Sequence, residues 1–142
     1  MRVFEKYAVT CGGGSNHRLG LYDEVMIKDN HIEAAGSISQ AVDKIRAGLN
    51  RQTKIEVEAE NLADVREALE NKVDIIMLDN MELDMIREAV SIIDGQAKVE
   101  ISGSVTLGKL DELATTGADF VSVGALTHSA PSIDISMNIV AL

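Results

Sequence analysis

The chain has 142 residues with 13 Lys+Arg against 23 Asp+Glu, a formal net charge of -10. That balance argues against a nucleic-acid or anionic-membrane surface, either of which needs a basic footprint. A hydrophobic share of 46% beside 25% charged residues suits one folded domain over residues 1–142 and excludes global disorder. Cys11 is the single cysteine, which excludes a disulfide framework and fits a reducing, cytoplasmic compartment. No apolar run approaches the ~20 residues of a membrane span, and residues 1–5 do not read as a signal peptide.

In chain order, Val3 to Val9 reads as a helical fragment, and Cys11-Gly12-Gly13-Gly14 as a tight turn or a close approach of backbone. A first strand is expected over Glu24–Lys28, with Asp29-Asn30-His31 closing it. Ile38, Ala41, Val42 and Ile45 then recur at helical spacing, with Ser37 or Ser39 as the cap and Gly48 as the stop. The strand Lys54–Glu60 precedes a helix capped by Asn61 and carrying Leu62, Val65, Ala68 and Leu69. Asp74–Leu78, Lys98–Ser102 and Asp119–Val123 are the remaining strands. Between them lie stripes of Leu83, Ile86 and Val90, and of Leu107, Leu110 and Ala114. Strands spaced about 20–25 residues apart leave room for one crossover helix each time, so the sheet is parallel. Either a doubly wound sheet or a (β/α) barrel satisfies this pattern.

Side chains alternate across a strand, so Ile55, Val57 and Ala59 share one face while Glu56, Glu58 and Glu60 share the other. Glu100 and Ser102 repeat the pattern, and Asp79 and Asn80 close the strand between. One reading is a wet sheet face with solvated glutamates. The βα alternation favours another: the apolar face meets the helices and the carboxylates face a site, which in a barrel lies inside. Buried carboxylates need a cation, a metal or a raised pKa.

Positive charge is scarce but gathers at two places, His17-Arg18 and Lys28. A planar Arg fork and a compact Lys charge suit a small multi-anionic ligand; the plainer alternative pairs Lys28 with a glutamate of the sheet and leaves His17 and Arg18 on a surface loop. His17, His31 and His128 have no ligand spacing that would suggest zinc. Ser102-Gly103-Ser104 and the stretch Gly124 to Ala130 place small residues and donors, among them Thr127 and His128, at two strand ends. Such ends commonly hold a phosphate in (β/α) barrels, and also serve as ordinary turns.

Six segments together resemble the quinolinate phosphoribosyltransferase family, the decarboxylating nicotinate-nucleotide pyrophosphorylases. They are Lys6-Tyr7-Ala8-Val9, Gly12 through Asp23, Ile27-Lys28-Asp29-Asn30-His31, Glu56-Val57-Glu58, Ile76 through Met81 and Ser122 through Ala130. The resemblance implies the transfer of a phosphoribosyl group from phosphoribosyl pyrophosphate to quinolinate with loss of CO2, giving nicotinate mononucleotide and pyrophosphate in NAD biosynthesis, with Mg2+. It also implies an incomplete (β/α) barrel, truncated at its N-terminal side, and a homo-oligomer, dimer or higher. On that footing His17, Arg18 and Lys28 hold the two carboxylates of quinolinate. Glu58 and Asp79 face the ribose and the magnesium pyrophosphate, as possible metal ligands directly or through water or substrate. Ser102, Gly103, Ser104, Gly124 and His128 line the phosphate end.

Members of the family are roughly twice this length, larger than one typical domain. They begin with a separate N-terminal domain and a first barrel strand ending in Thr-Arg-Lys-Thr; neither is in this sequence, and Ser104 stands where glycine or asparagine is common. The expectation is therefore weak activity or none from this chain alone. A non-catalytic binding module for a phosphorylated or dicarboxylate metabolite, a phosphoribosyltransferase with another acceptor, and an oligomerisation domain are the competing readings.

Overall fold

Every neighbouring pair of strands in the sheet is parallel, and the strands lie side by side in chain order: β1 (Val25–Ile27), β2 (Ile55–Ala59), β3 (Ile75–Asp79), β4 (Lys98–Ser102) and β5 (Phe120–Val121). This computed structural model describes residues 1–49 and 53–140. The helices are α1 (Arg2–Cys11), α2 (Asp29–Ala35), α3 (Ile38–Gly48), α4 (Leu62–Glu70), α5 (Leu83–Ile93), α6 (Leu110–Leu113, entered through a 3-10 turn at Leu107–Lys109) and α7 (Ala125–His128).

The strand order never reverses, which excludes a doubly wound sheet, whose order switches direction partway. Helices α3, α4 and α5 pack against one another in succession, forming one layer along the sheet. The result is a segment of a (β/α) barrel.

Register explains the two faces. Met26 lies opposite Glu56, Glu58 opposite Met77, Met77 opposite Glu100, and Asp79 opposite Ser102. With period-2 alternation these residues share one face, and Ile27, Ile55, Val57, Ile76, Leu78, Val99 and Ile101 share the other. The second set joins Ile38, Val42, Val65, Ala68, Ile86, Ala89 and Ile93 of the helices in one buried core. Fully burying a Val, Leu or Ile contributes about 1.5–3 kcal/mol, so this layer fixes the register.

Local signals place the helices. Ser37 Oγ accepts from the Gln40 amide at 3.1 Å. Asn61 Oδ1 accepts from the amides of Ala63 and Asp64 at 2.9 and 3.1 Å. Both are side-chain N-caps. Ser39 is not the cap; its amide and hydroxyl donate to Glu67 Oε1, both at 2.8 Å, tying α3 to α4.

Two expectations need correction. Asp29-Asn30-His31 does not close β1: the strand stops at Ile27 and these residues open α2. The Lys28 amide donates to His31 Nδ1 at 2.9 Å, so His31 closes the first turn of that helix. Glu60 does not extend the acidic row either; it lies beyond β2, exposed, where its amide donates to Asp64 at 3.0 Å.

Candidate functional site: an acid-lined face at the strand ends

The face turned away from the helices carries Glu56, Glu58 and Glu100, and all three are buried. Each is met differently. Glu58 Oε1 receives the ammonium of Lys28, and Glu58 Oε2 accepts from the Asp29 amide at 3.3 Å. Glu100 Oε1 accepts from the Ser122 hydroxyl. Glu56 is 0% exposed, and neither of its oxygens has a hydrogen bond of good geometry among the described residues.

The loop between α1 and β1 supplies what Glu56 lacks. His17 Nε2 lies 3.3 Å from Glu56 Oε2 and 3.6 Å from Glu100 Oε1. The close contact with the Glu56 carboxylate, the largest effect, raises the His17 pKa above its ordinary value; burial pulls it down, and the charges of Glu56, Glu100 and Glu24 add to the rise. For Glu100, burial is the largest effect and raises its pKa. The Ser122 hydroxyl and the His17 charge oppose that rise, while the charges of Glu56 and Glu24 add to it. Helix α1 anchors the loop from above: Lys6 Nζ donates to the His17 carbonyl at 2.7 Å, and Asn16 Nδ2 donates to the Lys6 carbonyl at 3.0 Å.

Arg18 is partly buried, with Nη1 3.3 Å from the Glu24 carbonyl and Nη2 3.9 Å from Met26 Sδ on the same face as Glu56. His17, Lys28 and Glu58 therefore lie on the acid-lined side, while Arg18 reaches over Met26 at the β1 edge, where it also lines a groove with Ile27, Ala41 and Ile45. Lys28 pairs with a sheet glutamate, as the plainer reading held, yet its side chain stays 46% exposed. An ammonium has three donors, so Lys28 can hold Glu58 and a ligand together.

Asp79 stands half-buried at the end of β3, opposite Ser102, and its Oδ2 accepts from Asn80 Nδ2 at 2.8 Å. Gly103 follows with φ +91, and a Cβ there would come within 2.7 Å of the Asn80 backbone nitrogen. Only glycine lets the turn after β4 lie against the turn after β3. Ser102, Gly103 and Ser104 thus sit beside Asp79 and Asn80. Gly124 and His128 bound the short α7 beyond β5, both exposed, with His128 Nδ1 2.7 Å from Ser129 Oγ.

Two donor sets bear on metal binding. Donor atoms of His17, Glu24 and Glu56 lie within 4.8 Å of one another. The Arg18 amide donates to His17 Nδ1 at 2.9 Å, however. That hydrogen bond assigns the proton of the neutral ring to Nε2. An Nε2–H facing carboxylates is a hydrogen-bond donor, not a lone pair for a metal. Asp79, an oxygen donor at a strand end, suits a hard cation better.

Sequence reasoning placed Glu56 and Glu100 on this face but did not join them to His17. The loop from Gly12 to Glu24 has no periodicity that tells where His17 points. Ser122 was missed as the partner of Glu100; its place directly after β5, beside the end of β4, was the available signal.

Fold and face define a class: a parallel (β/α)-barrel segment with carboxylates on its inner side and cations at the rim. Within that class, the chain belongs to the quinolinate phosphoribosyltransferase family; the family described as "Quinolinate phosphoribosyl transferase, C-terminal domain" matches residues 1–138. The chain is 50% identical to the probable nicotinate-nucleotide pyrophosphorylase [carboxylating] of Synechocystis sp., over 99% of this chain and 48% of that protein. The Bacillus subtilis protein of the same description is 47% identical over 98% of this chain and 48% of its own length. The crystal structure of NadC from Streptococcus pyogenes superposes with a TM-score of 0.90 at 47% identity, covering 96% of this chain and 48% of that one. The chain spans about half the length of the relatives it matches.

Proposed function

We propose that this chain carries the acidic floor and part of the cationic rim of a quinolinate phosphoribosyltransferase site, joining quinolinate to the ribose of phosphoribosyl pyrophosphate with loss of pyrophosphate and CO2. The observation that carries the reading is the pairing of buried Glu58 with Lys28 at the mouth of an acid-lined parallel sheet, with Arg18 over Met26 on the adjoining edge strand. Leaving pyrophosphate puts positive charge on the ribose ring, so Glu58 and Asp79 stabilise the transition state more than the ground state. Arg18 and Lys28 form the side that meets the pyridine dicarboxylate, above the carboxylates that His17 engages. The charge of Arg18 and Lys28 also stabilises the electron pair left at C2 when CO2 departs. No covalent intermediate with the protein is needed. Ser102, Gly103, Ser104, Gly124 and His128, at the ends of β4 and β5, are the donors for the phosphate end.

Magnesium belongs to the proposal through the pyrophosphate, whose charge it offsets when bound. Asp79 fits as its ligand; Glu58 fits less directly, since Lys28 and the Asp29 amide already engage its oxygens. Asp79 at the strand end also fixes which edge of the site the leaving group occupies.

The described part of the face bears Glu56, Glu58, Asp79 and Glu100 against His17, Arg18 and Lys28, and both His17 and Lys28 already face carboxylates. Dianionic quinolinate therefore binds weakly to this chain alone, and turnover by it is slow. A homo-oligomeric assembly and a cytoplasmic location complete the proposal; the free thiol of Cys11 supports the latter. No helix among the described residues is long and apolar enough to cross a membrane.

The test is product analysis with quinolinate, phosphoribosyl pyrophosphate and Mg2+. Nicotinate mononucleotide and CO2 should form together, slowly, and Asp79→Asn should lower the rate at least tenfold. Product from a monocarboxylate pyridine but none from quinolinate would contradict the assignment of acceptor. Binding without any product would favour a capture module.

A further inference from the structure

His17 comes from the loop between α1 and β1, and its imidazole Nε2 is the neighbour of two buried carboxylates on different strands, Glu56 of β2 and Glu100 of β4. Glu56 has no other partner among the described residues and is fully buried, so the fold leaves it dependent on this contact. Unpartnered carboxylates of this kind are strongly disfavoured in a protein interior. The Arg18 amide occupies Nδ1, which commits both ring nitrogens internally: Nδ1 to the loop itself, Nε2 to the acids.

We infer that His17 is a positioning residue: Glu56 and Glu100 share its Nε2–H, and this clamp seats the Asn16–Leu19 loop on the inner face so that Arg18, rather than His17, meets the ligand carboxylate. The clamp itself stands apart from any reaction; the clause about the ligand rests on the function proposed above. A ligand taking the His17 N–H would strip Glu56 of its partner. Arg18, resting over Met26, and Lys28, with donors to spare, bear no such restriction. Other charged groups around the ring are Glu24 before β1 and Lys6 of α1, whose ammonium holds the His17 carbonyl. The raised His17 pKa agrees with the clamp.

Side-chain nitrogen-15 NMR of the ligand-free chain tests the clamp. The His17 Nε2–H should exchange slowly, and His17 should titrate above an ordinary histidine. Glu56→Gln and Glu100→Gln should each bring that titration down, leaving exposed His31 and His128 unmoved. An Nε2–H that exchanges as fast as that of His128 in the unsubstituted chain would overturn the clamp even if Glu56→Gln failed to fold. Unchanged His17 titration in folded Glu100→Gln would do the same. Calorimetry with quinolinate tests the second clause. His17→Gln retains an N–H donor for the acids and should bind within about threefold of the parent, whereas Arg18→Ala should lose about tenfold or more. Equal losses would make His17 a direct contact and overturn the inference. If quinolinate bound nowhere, the proposed reaction and the Arg18 clause would fail, while the NMR result would still decide the clamp.

Discussion

Gly103 is the residue whose identity the site tolerates least. Its positive φ and the closeness of the Asn80 backbone leave no room for a Cβ. Gly103→Ala should cost about 1–3 kcal/mol, read from the denaturant midpoint; an unchanged midpoint would mean that the two strand-end turns do not touch. The titrating residues set the pH dependence. His17 is raised in the fold, so its contribution is complete below about 6.5 and is lost as pH rises through the folded value. Glu100 is also raised, so ionising it on the way to higher pH weakens the fold further. Glu67, held by the Ser39 amide and hydroxyl, and Asp119, held by Lys98 and then by the Val99 amide, are lowered. Their stabilisation is present above the ordinary carboxylate range and disappears as pH falls through their folded values. Thermal melts should therefore show maximum stability on the acid side of neutrality. A steady rise from pH 5 to 9 would contradict the site electrostatics.

At the scale of elements, the sequence was most legible where pattern and cap agree. The alternation of Lys54 to Glu60 fixed β2 to within a residue at each end, and Lys98–Ser102 matched β4. Asn61 was read as a cap and is one; Asn61→Ala should cost about 1 kcal/mol, measured by chemical denaturation. Helix α2 was illegible for a physical reason. It is only seven residues long, opens on the polar run Asp29-Asn30-His31, and is closed by a histidine ring and a left-handed Gly36 rather than by a Ser, Thr or Asp side chain. The core strand β3 should be the most sensitive to truncation. Leu78→Ala removes a fully buried side chain of the core between sheet and helices and should cost about 2–5 kcal/mol.

For the whole molecule, the parallel direction of the strands followed from βα spacing, but the choice between barrel and doubly wound sheet did not, because both obey the same spacing rule. Strand order decides it, and strand order is a property of long-range pairing. The same pairing leaves β1 and β5 as sheet edges among the described residues. Beside β1 lies an open groove of about 400 Å³ lined by Leu21, Val25, Ile27, Ala41 and Ile45, while Phe4 and Tyr7 of α1 and Ile133, Ile135, Met137 and Ile139 are largely exposed. Unpaired edges beside exposed apolar surface favour association. Sedimentation should show self-association rising with protein concentration, and a clean monomer at high concentration would count against it.

A crystal structure of the chain with quinolinate at saturating concentration tests the central claim most directly. The pyridine dicarboxylate should lie across the mouth of the sheet between Arg18 and Lys28, over Glu58, with Glu56 and Glu100 still closed around His17 beneath it. A ligand bound instead at the opposite ends of the strands, near Asp74 and Lys98, or Glu56 and Glu58 turned out to open solvent, would contradict the account.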